Sequence, residues 1–459
     1  MQQSNWAQEE LRTLRLGDRR LHPRLFHILD TLARRPEASI PEAFGNWADT
    51  KGFYRFCSSD NVDDREISAA HYRETYRRIH KYKRILAIQD ITDFNFTTHK
   101  ATSGLGPIDS TLSQGFKLQS VMAATDTGLP LGLLQQFIWS RDPKTRGQSK
   151  DCRNRPLEDK ETINWCFGLT DSDNGVPDSI SVVSVCDRQA DFFDLFVQKR
   201  SPHCDLLVRA AYDRCVDHSP EAEEPKHLFA AVEQARLAGI KTLHLRSHNR
   251  NEARDVKLAV RYTSATLLPP NYRKDLDPVT LQVVLAEEID APAGVKPLRW
   301  VLLTSCQVQG FSDACQILDW YAHRWLIERY HYVLKSGCHF EELQLQSRSR
   351  LLVALSIYSI VSWRLLYLTY QARQQPDQSC ETFLTTDEWQ SLYCTIHRTP
   401  VPPPSPPSLR EAVRWIARLG GFLARKGDGE PGVKVLWRGL RRLNDIVETW
   451  RLFRDQNCG

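Results

Sequence analysis

At 459 residues the chain is long enough for about two to four domains, and a net charge of +5 permits a nucleic-acid partner without demanding one. Its 12 cysteines form no C-x-x-C pair, which excludes a zinc framework and a disulfide scaffold of the usual spacings. Runs of about eighteen apolar residues are absent, and residues 1–14 lack a signal-peptide pattern, so we expect a cytoplasmic protein with no membrane partner.

The first sixty or so residues read as short helices carrying clustered cations. The apolar spacing and the intervening turns predict helices at residues 6–14, 20–34 and 40–56. Three arginines stand near the ends of the second and third helices, namely Arg20, Arg24 and Arg55. A compact helical module of this kind suits binding to a DNA groove and its phosphates. A solvated basic face accounts for the same composition equally well.

Two apolar runs that end in an aspartate follow this module. Residues 85–90 and 181–187 each read as a buried strand, with Asp90 and Asp187 at the carboxyl ends. Further strand-like runs lie at residues 116–124, 131–139 and 205–209. Strands in a hairpin series, followed by strands that alternate with helices, indicate a mixed α/β sheet.

Residues from about 211 to 305 read as an all-β insertion, because strand-like runs alternate there with proline-containing turns. A single long helix is predicted next, at residues 312–335, where neither Pro nor Gly interrupts the apolar spacing. Four polar side chains on it fall within an arc of roughly 60°; they are Tyr321, Arg324, Glu328 and Lys335. An exposed ladder of ion pairs would explain this face without any function.

The C-terminal part begins with an apolar stretch at residues 351–370, which predicts a buried helix. A proline-rich spacer at 400–408 then precedes predicted helices at 409–419 and 434–453. Apolar residues of the last helix recur at intervals of four and three, namely Leu436, Leu440, Leu443, Val447 and Trp450. This seam suits a partner helix, and it equally suits packing inside its own domain, which is the commoner case.

Three separated carboxylates, Asp90, Asp187 and Glu328, would form an oxygen-rich site if the fold brought them together. Such a donor set suits Mg²⁺ or Mn²⁺, and two ions about 3.5–4 Å apart can promote phosphodiester cleavage. Taken singly, each aspartate is more simply explained as a turn or helix-cap residue.

The pattern Tyr321-x2-Arg324-x3-Glu328-x6-Lys335 resembles the Y-R-E-K signature of bacterial cut-and-paste insertion-sequence transposases of the DDE class. The two runs that end in Asp90 and Asp187 resemble the aspartate motifs of the same family. Shorter likenesses follow in order along nearly the whole chain: Trp6-Ala7, Leu16-Gly17-Asp18, Tyr54-Arg55-Phe56, VLAEEI at 284–289 and IARLGGF at 416–422.

The resemblance implies an α/β fold with an RNase-H-like mixed-sheet catalytic core, a β-rich insertion and flanking all-α domains. It divides the chain into a helical domain that binds transposon-end DNA (1–63), a catalytic domain (64–370, with the insertion at about 211–305) and a helical dimerisation domain (371–459). The partners it implies are double-stranded DNA, as transposon ends and as target, and a second copy of the chain in a synaptic complex. The expected location is the bacterial cytoplasm, at the nucleoid.

The resemblance also assigns roles to individual residues. Asp90, Asp187 and Glu328 would be catalytic and would ligate two Mg²⁺ ions, with Mn²⁺ as a substitute. The implied DNA contacts are Tyr321, Arg324, Lys335, Trp300, Arg209, Arg20, Arg24 and Arg55. The implied reaction nicks one strand, forms a hairpin at the transposon end and transfers the freed end into target DNA. Trp300 would stack near a flipped base during hairpin formation.

Two other functions fit parts of the same pattern. A catalytically silent DNA-binding repressor or domesticated relative would occupy transposon ends without cutting them. A metal-dependent nuclease of the same fold would act on a cellular substrate instead. An intact carboxylate set argues against the pure binder, because a repressor gains nothing from a buried anionic cluster.

Overall fold

The structure, a computed structural model, describes residues 6–109, 112–143, 155–217, 226–245 and 254–456. The helices in these ranges are α1 Trp6–Glu10, α2 Leu21–Arg34, α3 Ile40–Phe44, α4 Trp47–Cys57, α5 Asp64–Ile79, α6 Ile163–Gly175, α7 Phe193–Val197, α8 Leu228–Glu233, α9 Phe311–Ala322, α10 Trp325–Tyr332, α11 Arg348–Gln374, α12 Thr386–His397, α13 Leu409–Leu419 and α14 Val433–Gln456. The strands are β1 Arg84–Asn95, β2 Gly106–Pro107, β3 Gln114–Thr125, β4 Pro130–Trp139, β5 Ser181–Cys186, β6 Cys204–Arg209, β7 Leu237–Leu245, β8 Arg254–Leu267, β9 Val279–Ile289 and β10 Arg299–Thr304.

One mixed sheet of ten strands organises the described chain, in the order β2-β3-β1-β5-β6-β10-β9-β8-β7, with β4 paired to β3. Strand β1 is antiparallel to β3 and parallel to β5, and β5 is parallel to β6. The remaining pairings are antiparallel. The predicted α/β class with a mixed sheet and helical ends is therefore confirmed.

The region read as an all-β insertion differs from that prediction in two ways. Its strands β7 to β10 are present, but they continue the central sheet, because β10 pairs with β6 through Leu302 and Arg209. A short helix, α8, also lies in this region and packs Leu228 and Val232 inward. Sequence periodicity identifies strands but not their neighbours, so it could not distinguish an added sheet from an extension.

In the N-terminal module, the helix predicted at residues 40–56 is divided into two helices, α3 and α4. Gly45 ends α3 with a left-handed backbone (φ +67°), and its N–H donates to the carbonyl of Pro41 at 3.0 Å. Asn46 then caps α4, because its Oδ1 accepts a hydrogen bond from the Asp49 N–H at 2.8 Å. The chain therefore turns sharply between the two helices.

The prediction of a single long helix at residues 312–335 is wrong. It is divided into α9, α10 and a π-helical turn, Val333–Gly337. Hydrogen bonds tighten to the i−3 pattern at the first break: the N–H of Arg324 donates to Tyr321 at 3.0 Å and that of Leu326 to His323 at 2.9 Å. No Gly or Pro marks this tightening, so sequence signals gave no warning of it.

The predicted buried helix is present as α11, which runs through the interior and is apolar on nearly every face. Its length and composition would allow it to cross a membrane, but 83% of its most apolar window is buried inside the protein. Burial on all sides by the sheet and the terminal helices accounts for the composition, so α11 is a core helix.

The C-terminal seam packs within its own chain, as the commoner alternative predicted. Leu436, Leu443 and Val447 are buried against α12 and α13. Close approach of α13 and α14 depends on Gly439, where a Cβ would lie 1.8 Å from the carbonyl oxygen of Ile416. The same helix α14 also reaches the N-terminal module, where Arg441 pairs with Glu42.

A buried ionic cluster joins the N-terminal helices to the core. Glu10 of α1 accepts hydrogen bonds from Arg78 of α5 at 2.7 and 3.0 Å, and from His71 Nδ1 at 2.6 Å. His71 Nε2 in turn accepts the Leu133 N–H of β4 at 3.1 Å, which fixes the neutral tautomer with the proton on Nδ1. The three side chains therefore fasten the first helix to the sheet.

Candidate active site

Asp90 and Asp187 occupy corresponding positions on two neighbouring parallel strands. Ile88 pairs with Val185 in the β1–β5 register, and each aspartate lies two residues beyond that pair. Asp187 directly follows β5, as predicted. The prediction that Asp90 ends its strand is wrong, because β1 continues to Asn95 through its pairing with β3. Only the pairing with β5 stops before Asp90, and this opens a gap beside the two carboxylates.

Glu328 approaches this gap from α10, which packs on β1. Its Oε1 lies 2.6 Å from Nη2 of Arg324, one helical turn earlier. The Arg324 guanidinium is buried and lies over the rings of Trp325, at 5.2 Å, and Tyr321, at 5.9 Å. The third carboxylate is thus held beside a guanidinium and a phenol.

The three carboxylates interact electrostatically. The pKa of Asp90 is raised to about 7, chiefly by burial and then by the negative charges of Asp187 and Glu328, while Arg324 opposes the shift. Asp90 is 9% exposed, so water screens these charges poorly. At Asp90, burial and the two neighbouring carboxylates therefore outweigh the opposing effect of Arg324.

The donor chemistry fits a divalent cation, since the side chains are hard carboxylates that repel one another. The described residues nevertheless contain no group of three or more acidic, histidine or cysteine side chains clustered tightly enough to hold a metal ion. Glu328 instead forms an ion pair with Arg324. The arrangement is a set of neighbouring carboxylates, and side-chain rearrangement would be needed to complete a coordination shell.

His331 is a site residue that the sequence analysis missed. Its Nδ1 lies 3.8 Å from Oδ2 of Asp90, and its Nε2 lies 3.3 Å from Oγ of Ser120. Burial, together with the positive charge of the nearby Lys335, lowers the pKa of His331 to about 3, so the ring is neutral. The available signal was its place three residues after Glu328, on the same side of the helix.

A buried polar ladder supports β1 next to Asp90. Gln89 Nε2 donates to Ser184 Oγ of β5 at 2.9 Å, and Gln119 Nε2 of β3 donates to Gln89 Oε1 at 2.8 Å. Gly168 of α6 leaves room for this amide, because a Cβ there would lie 2.3 Å from Gln89 Oε1. The ladder ties together the three strands that carry or flank the aspartates.

Lys335 contacts β1 and the segment that follows its own helix. Its Nζ donates to the carbonyl oxygen of Asp93 at 2.7 Å and lies 3.4 Å from Glu341 Oε1. The π-helical turn changes the helical phase here, so the predicted common face with Tyr321 is not kept over its whole length. Lys335 nevertheless contacts the strand that carries Asp90, at Asp93, which is three residues beyond Asp90.

Arg209 and Trp300 lie on the other side of Tyr321. The pKa of Arg209 is lowered by burial, an effect that Tyr321 opposes and the neighbouring charges of Arg188 and Arg324 reinforce. The Trp300 ring packs edge-on against Tyr321 with centroids 5.1 Å apart, and it is 5% exposed. The structure therefore adds Arg188 to the cations near the carboxylates and places the Trp300 ring in the interior.

The N-terminal arginines are separate from this cluster, on the module formed by α2 and α4. Arg20 is almost fully exposed and pairs with Asp18 at 2.8 Å. Arg24 pairs with Asp49 at 2.8 Å, and Arg55 is exposed on α4. These side chains belong to a second positively charged surface.

Comparison with known families identifies both ends of the chain. Residues 3–62 match the family model described as Transposase DNA-binding. Residues 360–458 match the one described as Transposase Tn5 dimerisation domain. The two ends of the chain are thus similar to transposases, and the matches support an insertion-sequence transposase. These two matches support DNA binding and homodimer formation, and they agree with the transposase resemblance seen in the sequence.

The transposase holds the segment after Asp187 in place through a second aspartate. Asp191 is fully buried and accepts hydrogen bonds from the backbone N–H groups of Ala211, at 2.6 Å, and Tyr212, at 2.9 Å. Its other oxygen pairs with Arg214 at 2.5 Å. This cluster joins the end of β5 to the segment that follows β6.

Replacing Asp191 by Ala is expected to lower the free energy of unfolding by about 3–5 kcal/mol, because Arg214 would be left buried without its counter-charge. Urea unfolding followed by tryptophan fluorescence would measure the change. Asp217→Ala, an exposed aspartate nearby, is the matched control and should change stability by less than about 0.5 kcal/mol. Equal losses in the two variants would contradict the structural role of Asp191.

Proposed function

We propose that the transposase catalyses cut-and-paste transposition by the DDE mechanism: strand nicking, hairpin formation at the transposon end and strand transfer into target DNA. The observation that carries the proposal is the electrostatic coupling of Asp90 to both Asp187 and Glu328, with guanidinium groups beside them. This cluster lies in the chain between a DNA-binding region and a dimerisation region. Catalysis on DNA held by a dimer, in the bacterial cytoplasm, is the function that unites the three parts.

The sheet topology supports an RNase-H-like core for this reaction. Strands β4, β3 and β1 form an antiparallel series, and β5 and β6 then add in parallel beside β1. Asp90 lies on β1 and Asp187 directly follows the neighbouring parallel strand β5, and the glutamate comes from a helix that packs on β1. The strands β7 to β10 would form the β-rich insertion between the second and third carboxylates.

In this proposal, Asp90, Asp187 and Glu328 hold two Mg²⁺ ions, with Mn²⁺ as a substitute. Bound ions of this kind favour attack by water or a 3′-hydroxyl and stabilise the leaving oxygen. His331 orients Asp90, since its ring stands between that carboxylate and Ser120. Arg324 exchanges its pairing with Glu328 for a DNA phosphate, which frees the carboxylate.

In the same proposal, the other cationic and aromatic side chains of the site contact the DNA. Tyr321, Arg209 and Lys335 contact phosphates of the transposon end. Trp300 stacks on an extruded base only after its packing against Tyr321 opens, because its ring is buried. The surface formed by Arg20, Arg24 and Arg55 binds the end sequence.

A catalytically silent repressor or domesticated relative is the alternative. Such a protein would need the N-terminal surface alone. The raised pKa of Asp90 speaks against it, because a buried, crowded carboxylate lowers stability and contributes nothing to binding.

The test is incubation of the full chain with a labelled transposon-end duplex and Mg²⁺, followed by denaturing electrophoresis. The expected products are a nicked strand, a hairpin and a double-strand break. Glu328→Ala should reduce nicking by at least about 10³-fold and leave end binding intact, because the lost carboxylate acts on the reaction and not on docking. The matched control is Asp319→Asn, an exposed acid on α9 that pairs with Lys241, and it should cut normally. Normal cutting by Glu328→Ala would remove this residue from the mechanism.

A further inference from the structure

A π-helical turn continues directly from the helix that carries Glu328 and His331. The turn follows α10 without a break and occupies Val333–Gly337. It is closed by the N–H of Cys338, which donates to the carbonyl of Val333, five residues back, at 2.8 Å. Such turns are rare and occur frequently at functional sites. The groups that hold this turn in place are therefore relevant to the active site.

The turn places Lys335 on the strand that carries Asp90. Lys335 Nζ donates to the carbonyl oxygen of Asp93 at 2.7 Å and lies 5.7 Å from the centroid of the Phe94 ring. A lysine ammonium is a compact charge on a flexible stem, so its location depends on where the backbone starts that stem. The position of this charge beside β1 is thus set by the geometry of the turn.

The indole of Trp437, on α14, packs against the same turn. Trp437 is 2% exposed, and its ring centroid lies 5.6 Å from that of Tyr332, the last residue of α10. A Cβ on Gly337 would lie 2.8 Å from the nearest indole atom, so the missing side chain allows the ring to lie this close. A rigid aromatic group from the C-terminal region therefore covers the turn.

Trp437 packs in a different core from most of the apolar seam of α14. Together with Val433, one turn earlier, it lies in the large core that contains Leu334 of the π-helical turn. Leu436 and Leu443 instead pack in a separate C-terminal core. Helix α14 therefore holds the C-terminal helices on one face and inserts two side chains beside the catalytic helix on another.

We propose that Trp437 is a positioning residue of the active site: its indole holds the π-helical turn, and the turn holds Lys335 where it meets a DNA phosphate. The indole suits this role, because it is large and rigid. Relaxation of the turn toward an α-helix would change the direction of its side chains by up to about 100°, the angle of one helical residue. Lys335 would then leave Asp93. This assignment rests on the proposed function, since it presupposes that Lys335 contacts DNA during the reaction.

The experiment measures single-turnover nicking of a labelled transposon-end duplex by the full chain at saturating Mg²⁺. Trp437→Leu should slow nicking about 10- to 100-fold, because a displacement of about 1 Å in a reacting site can cost that much. In a Lys335→Ala background the same substitution should slow nicking by less than about 2-fold, since its effect is transmitted through Lys335. A merely structural loss would be the same in both backgrounds.

Gly337→Ala tests the contact from the other side. Its methyl group would lie 2.8 Å from the indole and should also slow nicking. The double variant Gly337→Ala, Trp437→Leu should nick faster than Gly337→Ala alone, because the leucine leaves room for the methyl group. Trp437→Phe keeps a smaller ring and should lose less activity than Trp437→Leu, and it decides the question if Trp437→Leu does not fold.

Trp389→Phe is the matched control for substitution of a buried indole. Trp389 is 3% exposed and packs in the C-terminal core, away from the turn. Its substitution should change the nicking rate by less than about 2-fold. Hydrogen exchange of the DNA-free chain tests the contact independently of the reaction. Exchange should increase at residues 333–338 in Trp437→Leu and should not increase there in Trp389→Phe.

The results distinguish this assignment from the function on which it rests. A wild-type chain that does not nick the duplex would contradict the proposed function itself. Normal nicking by Trp437→Leu, or an equal loss in the Lys335→Ala background, would overturn the role of Trp437 alone. The same conclusion would follow from an equal loss in Trp389→Phe, or from unchanged exchange at residues 333–338 in Trp437→Leu.

Discussion

Asp90→Asn is expected to abolish Mg²⁺-dependent nicking and, at the same time, to stabilise the metal-free transposase. The folded-state pKa of Asp90 is raised from 3.8 to about 7, first by burial and then by Asp187. A raised carboxylate pKa means that the folded chain holds this proton more tightly than the unfolded chain does. Stability therefore falls as the pH rises from about 4 to about 7, and the neutral amide avoids a loss on the order of 4 kcal/mol near pH 8.

The measurement compares wild type and Asp90→Asn in urea unfolding with a chelator present, near pH 8 and near pH 5. The stabilisation should be larger at the higher pH, where the wild-type carboxylate is ionised. Added Mg²⁺ should raise the unfolding midpoint of the wild type more than that of the variant. Asp178→Asn, with a side chain 98% exposed, is the control and should change neither property. A variant that nicks DNA normally, or that is less stable at both pH values, would contradict the assignment of Asp90.

Glu10→Ala is expected to lower the free energy of unfolding by about 3–5 kcal/mol at neutral pH, because it leaves Arg78 without its buried counter-charge. Burial raises the pKa of Glu10, but Arg78 and His71 outweigh that effect and hold it at about 2, against 4.5 for a free side chain. Its contribution is therefore complete above about pH 4.5 and is lost as the pH falls toward about 2. From this pKa difference, the acid-sensitive part is about 3 kcal/mol.

Unfolding of wild type and Glu10→Ala across this pH range provides the test, since the difference between them isolates the contribution of this carboxylate. The difference should be constant above about pH 5 and should shrink with acidification. The neighbouring Glu9 is exposed, so Glu9→Ala serves as the matched control and should remain close to wild type throughout. A difference that grows on acidification would mean that Glu10 is not stabilised as an anion.

Because Glu10 fastens α1 to α5 and β4, the same variant also tests how firmly the DNA-binding module is attached to the core. Hydrogen exchange should increase first in α1 and α2, since these helices lose their polar anchor. The active-site strands should remain protected. Exchange that increases uniformly would instead indicate that the module and the core unfold together.

Much of the fold followed from local patterns. The apolar runs that became β3, β4, β5 and β6 were identified within a few residues, and so were α11, α13 and α14, whereas α12 was not predicted. These elements have strong, uninterrupted signals, because burial on both faces demands continuous apolar sequence. Asp187 was placed correctly for the same reason: its strand ends where the apolar run ends.

The errors arose where long-range contacts overrule local preference. Asp90 lies inside β1 because the antiparallel partner β3 extends beyond the parallel partner β5. The predicted helix that carries Glu328 is interrupted near Arg324 without any Gly or Pro, and it ends in a π-helical turn from which Lys335 reaches Asp93. His331 was overlooked because the function of a single histidine on a helix cannot be inferred until the residues around it in the fold are known.

The amino-acid sequence by itself determined the transposase family, the mixed α/β class and the three acidic residues proposed for catalysis, because motifs and apolar periods are properties of the chain alone. Only the tertiary structure decided that Asp90, Asp187 and Glu328 share one electrostatic environment, that Trp300 is buried and that Trp47 is exposed. The physical reason is that burial and charge coupling depend on which strands and helices become neighbours. Those contacts join residues more than two hundred positions apart, as Asp90 and His331 show.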